Sequence, residues 1–229
     1  MRRKSLIVLG VIIVLFTLQS CKSQPEQTLL KNYCRADSLN DIQTMSTMAI
    51  NPMKLNAASW TITKVSEEKT EPAALSDMAK AEGDFKKQQD AHIPVTLDAK
   101  DALELAKDEF NSARTGPARA AAKTKVDAAQ KKYDDEYKLH QEIIKKYSDA
   151  KVAAAKEEEI TMFSLGAGQL PNIRDLKGDI RSKDIELQVK DKAGAVKNYL
   201  ITMRVYTLKD EALNLTYRGR WIITQFKEL

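Results

Sequence analysis

The apolar positions of this chain change their spacing three times. Leu6 to Leu18 is a near-continuous apolar run, broken only by Gly10 and Thr17. Leu29, Leu30, Tyr33 and Cys34, then Leu39, Ile42, Met45, Met48 and Ala49, recur at helical spacing. They predict a helix opening at Pro25-Glu26 and running to Met48, with Asp37 or Ser38 capping a second helix or marking a bend. Asn51-Pro52 stops that pattern, and the β-branched and aromatic run Trp60–Val65 reads as a strand.

From 72 to 160 the apolar positions follow a seven-residue rhythm. Met78, Ala81, Phe85, Gln88, His92, Val95, Ala99, Ala102, Ala106 and Ala113 hold it in one run. Val126, Ala129, Tyr133, His140, Ile143, Tyr147, Ala150 and Ala154 hold it in the next. Thr115-Gly116-Pro117 is a helix stop followed by a helix start. The runs 72–114 and 118–160 are both 43 residues, each about 64 Å long if helical. Equal runs about a tight turn predict an antiparallel two-helix coiled-coil hairpin, with a kink or short break at Pro94. With the turn at Gly116, Ala99 falls opposite Tyr133, Ala106 opposite Val126, Phe85 opposite Tyr147 and His92 opposite His140. Small residues facing large ones would pack such a pair densely.

After a Gly- and Pro-containing loop, Ser164 to Gly178, the rhythm becomes that of strands. Ile185, Leu187 and Val189 alternate within Lys183–Lys190. Asn198–Leu208 is apolar on both faces and reads as a central strand. Leu213–Tyr217 and Trp221–Phe226 flank Arg218-Gly219, which predicts a tight hairpin turn. The fold class is therefore α+β: a small antiparallel sheet with an N-terminal helix, interrupted by the long hairpin. By segment, 1–20 is a leader, 21–27 a tether, 28–71 and 161–229 one α+β base domain, and 72–160 the insertion. Each flank alone has too few apolar residues to close a core, so Trp60 and Trp221 are expected in one body.

The first 20 residues are set apart by more than their run. Arg2, Arg3 and Lys4 precede it, and its length suits a signal-peptide core and is short for a membrane span. It ends in Leu18-Gln19-Ser20-Cys21, which resembles the bacterial lipobox. That resemblance implies cleavage before Cys21, an acylated cysteine as lipid anchor, and a cell-envelope location. Lys22 in place of Asp implies the outer membrane.

Cleavage would alter the charge. The chain has 37 Lys and Arg against 32 Asp and Glu, a formal +5. Without Arg2, Arg3 and Lys4 it has 34 against 32, or +2. A basic nucleic-acid binder is poorly supported by that balance. With Cys21 acylated, Cys34 has no disulfide partner and reads as a buried thiol.

Motifs for catalysis, cofactors or metal are nearly absent. There is no phosphate loop, nucleophile elbow, Cys-x-x-Cys or His-x-x-x-His spacing. His92 and His140 are the only histidines. With Asp90 or Glu136 they could ligate a metal, but two imidazoles alone make a poor site. A polar layer that fixes the register of the hairpin is the better reading. Double protonation of two partly buried rings should loosen it at about pH 5–6. Glu157-Glu158-Glu159 reads as a solvated face, and Tyr133, Tyr137 and Tyr147 as core.

The flanks without the hairpin, Pro25-Glu26 through Met48 and the closing Gly219-Arg220-Trp221-Ile222-Ile223, resemble cystatin-like or nuclear-transport-factor-like α+β lipoproteins. The match covers about 110 residues, and both signatures are degenerate. Isomerases on that fold need an acid or base inside an apolar cone, whereas Asp184 and Glu186 alternate with Ile185 and Leu187 and so face outward. The expectation is a non-enzymatic envelope lipoprotein with no cofactor, anchored in membrane lipid through Cys21, whose hairpin meets an envelope protein partner or acts as a spacer. The alternative is a small-ligand or isomerase-like pocket in the base.

Overall fold

The computed structural model describes residues 24–166 and 170–229. The chain is α+β, with a long helix pair and an antiparallel sheet of six strands among the described residues. In chain order the elements are α1 (Pro25–Ser38), α2 (Ile42–Ser46), β1 (Ala57–Val65), β2 (Lys69–Pro72), α3 (Leu75–Ser112), α4 (Gly116–Leu165), a 3-10 turn (Ile173–Asp175), β3 (Lys177–Asp191), β4 (Val196–Asp210), β5 (Leu215–Arg218) and β6 (Ile222–Glu228). The chain divides into two compact units. Unit 1 holds residues 24–69, Arg181–Val205 and Trp221–Leu229, and unit 2 holds Thr70–Ile180 and Tyr206–Arg220.

In unit 1 the strand alternation sets the core. Ile185, Leu187 and Val189 of β3 and Tyr199, Ile201 and Met203 of β4 are buried together with Leu30, Tyr33 and Cys34 of α1. Trp60 and Trp221 are half-buried against this same cluster. β1 pairs antiparallel with β3, and β6 with β4 through Tyr199–Arg204. The first helix ends at Ser38, where the sequence expects a bend or a second helix, and Asp41, not Asp37 or Ser38, caps α2 by accepting the Thr44 amide at 3.0 Å. Asp37 is buried instead, and its two oxygens accept the amides of Leu55 and Ala57, both at 3.1 Å. A side chain that serves a segment 18 residues away leaves no local signal.

In unit 2 the two helices run antiparallel, 38 and 50 residues long, or about 57 and 75 Å. Pro72 does not open the first of them: it ends β2, and the helix begins at Leu75. α3 continues through Pro94 without a break. A proline removes one backbone donor and crowds the preceding turn, and packing along a long seam can hold a helix through that loss. A small apolar cluster of Leu75, Ile173, Leu176 and Leu208 sits at the open end of the pair.

Arg218-Gly219 is not a hairpin turn. β5 pairs β4 at Thr207–Asp210 and β6 pairs it at Tyr199–Arg204, both antiparallel, so residues 215–228 follow β4 in two pieces. The reversal lies earlier, at Glu211–Asn214, where Asn214 adopts φ 51° and Asp210 accepts the Leu213 amide. Gly219 donates to the Tyr206 carbonyl, and a Cβ there would collide with the Ser164 hydroxyl. The glycine signals a close approach here, not a turn.

Candidate functional site

The seam of the helix pair is the most organised feature of unit 2. α4 buries the predicted stripe, with Ile143 and Ala154 inside and Val126, Ala129, Tyr133, His140, Tyr147 and Ala150 half-buried. α3 keeps Phe85, His92, Ala99 and Ala106, but its alternate layers are Gln89, Thr96 and Leu103 rather than Gln88, Val95 and Ala102, which are exposed. The spacing from each shared position is four then three, not three then four. Choosing Val95 over Thr96 by hydrophobicity alone misses that a threonine hydroxyl can be satisfied by its own helix.

At the middle of the seam the structure brings His92 and His140 together. Their ring centroids are 5.7 Å apart with 14° between the planes. His92 Nε2 lies 3.1 Å from Glu136 Oε2 across the pair, and His92 Nδ1 lies 3.2 Å from Thr96 Oγ1. His140 Nδ1 is buried without a hydrogen-bond partner. Parallel rings do not aim their lone pairs at a common point. Asp90 pairs with Lys86, at 3.3 Å. Among the described residues no group of three or more His, Cys, Asp or Glu is placed to hold a metal ion.

Near this layer five large apolar side chains face solvent. Ile93, Val95, Leu97, Tyr137 and Leu139 are all exposed by more than two-fifths. By contrast the seam contains many alanines, with Ala99, Ala106, Ala122 and Ala154 buried. Tyr137 is therefore outside the seam and stacks obliquely on Tyr133, their centroids 5.8 Å apart, which corrects its reading as core.

The acidic run 157–159 is not one solvated face. Glu157 is buried and accepts the Tyr206 hydroxyl at 2.7 Å, and Glu158 accepts Arg174 Nε at 2.7 Å; only Glu159 is exposed. Arg174 Nη1 also reaches Glu82 of α3 at 2.8 Å. The two carboxylates raise the Arg174 pKa, Glu158 most. This fork ties the loop after α4 to both helices. Beside it lies a cavity of about 540 Å³ lined by Ser76, Glu82, Lys86, Asn172 and Arg174 among others. The sequence offered one hint, Pro171-Asn172, where Asn172 takes φ 61°; the pairing itself spans 92 residues.

Unit 1 carries a charged cluster against Trp221. Lys183 and Arg181 lie over its ring, at 5.6 and 5.7 Å. Lys183 also pairs with Glu26 at 3.2 Å and with Glu68 at 3.5 Å. Glu26 is buried, so the start of α1 is fixed onto the sheet within a few residues of position 21. Asp184 accepts the Thr202 hydroxyl at 2.8 Å, and Glu186 pairs with Lys64 at 3.4 Å; both stand on the strand face opposite the buried Ile185 and Leu187. Two inward polar groups, Tyr33 and Asp37, have backbone partners. Burial pushes the Tyr33 hydroxyl above its ordinary range and the Cys34 thiol up to about 12, with the Asp37 charge adding to each shift.

Cys21 and residues 1–20, read as a leader, lie outside the described residues. Among the described residues no helix is long and apolar enough to cross a membrane. No protein-family model, curated protein or solved structure matches the chain.

Proposed function

We propose that this protein is a non-enzymatic lipoprotein of the bacterial cell envelope, anchored in the outer membrane through acylated Cys21. Its cystatin-like base holds a coiled-coil hairpin that engages a protein partner. The observation that carries the reading is the build of the hairpin: four alanines lie buried in its seam while Ile93, Val95, Leu97, Tyr137 and Leu139 stand exposed around its middle. A helix pair built only as a rigid spacer has no need of large apolar side chains facing water, and their grouping at one level of the hairpin offers a partner contact. The leader supports the anchor, since an acylated cysteine adds roughly 0.8 kcal/mol of membrane affinity per buried methylene. The Glu26–Lys183 pair supports a fixed start to α1 a few residues after position 21. An isomerase-like pocket is less well supported, because the Tyr33 hydroxyl and the Asp37 carboxylate are taken up by backbone groups.

The test has two arms. Metabolic labelling with an alkyne fatty acid should mark the wild-type protein and leave Cys21→Ser unlabelled. Affinity capture from envelope extracts should enrich a partner with the full chain. It should fail when residues 89–143 are replaced by a short Gly-Ser loop that retains Glu82, Glu158 and Arg174. Labelling of Cys21→Ser would remove the anchor, and equal capture by the shortened chain would remove the role of the hairpin.

A further inference from the structure

We infer that the His92–His140 layer is an acid-operated release point in which the two rings have different tasks: His92 accepts a second proton without loss, and protonation of His140 opens the hairpin. The division follows from what each ring nitrogen meets. His92 Nε2 faces the Glu136 carboxylate, which only accepts hydrogen bonds. His92 Nδ1 faces the Thr96 hydroxyl, which donates to the His92 carbonyl at 3.2 Å and so presents a lone pair to the ring. A doubly protonated His92 keeps both contacts.

His140 has no such surroundings. Its Nδ1 is buried without a partner. A proton there creates a buried donor with no acceptor, and its charge lies in a ring 5.7 Å from that of His92. The near-parallel stacking leaves neither ring able to donate to the other. From α4 the Glu136 carboxylate faces the His92 ring. Lys138 and Glu142, two positions either side of His140, are exposed. From α3, Asp90 lies two positions from His92 and pairs with Lys86. The first positive charge in the layer is therefore compensated and the second is not. Pro94 also removes one backbone hydrogen bond of α3 beside the layer, so local opening breaks fewer of them. The inference does not depend on what the hairpin binds.

Hydrogen exchange of the full chain in detergent tests it, with rates corrected for intrinsic exchange. Between about pH 7.5 and about pH 5, amides at 88–99 and 133–144 should lose protection by about tenfold or more, while those at 104–112 keep theirs. His140→Gln cannot take the charge and should hold its protection at both values. His92→Gln should show a smaller acid loss than wild type. Equal protection of the wild type at both values, or an acid loss in His140→Gln as large as in wild type, would overturn the inference. Should His140→Gln lack wild-type helix content by circular dichroism, the wild-type ring nitrogen signals decide. Titration of His140 accompanied by shifts in the α3 and α4 amides supports release, and titration without them overturns it.

Discussion

The Tyr33 hydroxyl makes two hydrogen bonds with Met53, donating to its carbonyl at 2.8 Å and accepting from its amide at 2.7 Å. The ring is fully buried and lies 5.1 Å from that of Phe226. One side chain thus closes the backbone valences of a loop 20 residues away while filling the core of unit 1. Tyr33→Phe keeps the ring and removes both bonds. It should destabilise the protein by about 1–3 kcal/mol, read by urea unfolding followed on the tryptophans.

Asp37 plays the matching part for Leu55 and Ala57. Asp37→Ala leaves two inward amides unpaired and should cost about 2–4 kcal/mol. Asp37→Asn, which can satisfy only one of them as acceptor, should fall between. A near-neutral Asp37→Ala in equilibrium unfolding would contradict this account of why β1 starts at Ala57.

The thiol of Cys34 should be inert. With its pKa pushed up to about 12 by burial and then by the Asp37 charge, an aromatic disulfide reagent at neutral pH should label it only after unfolding. The same shift sets an alkaline limit. The folded state holds the proton more tightly than the unfolded chain, whose thiol titrates near 9.0. The stabilisation is therefore complete below about pH 9 and declines as pH rises towards 12. Tyr33, shifted the same way, steepens that decline. Cys34→Ala should flatten the pH–stability curve in this window.

Gly178 admits no side chain, since a Cβ there would overlap the Thr207 carbonyl oxygen and crowd Leu208 Cα. Backbone cannot step aside as a flexible side chain can. Gly178→Ala should cost about 1–3 kcal/mol by forcing strands apart. Gly83→Ala, with nothing within 4 Å of the new methyl, should instead stabilise α3 by about 0.5–1 kcal/mol. Thermal unfolding of the two variants should move in opposite directions.

The hairpin seam is sensitive to size. Ala154 is fully buried, and Ala154→Leu should lower stability by about 1–3 kcal/mol by overpacking. Leu103→Ala should cost about 2–5 kcal/mol. Both effects should appear first as faster amide exchange in α3 and α4.

The sequence by itself determined the long helix pair, its turn at Gly116 and the meeting of His92 with His140, because helical period and turn chemistry are local properties that repeat over many residues. It also determined which face of β3 is buried, since alternation leaves no other choice when one face is apolar. Only the tertiary structure decided that Thr96 and Leu103 enter the seam in place of Val95 and Ala102, because a hydroxyl bonded to its own helix tolerates burial. Only it decided that Arg218-Gly219 runs along β4, that Glu157 is buried on Tyr206, and that Arg174 joins Glu82 and Glu158. Each of these is a contact between residues far apart in the chain, and its energy depends on which partner arrives. No periodicity records that.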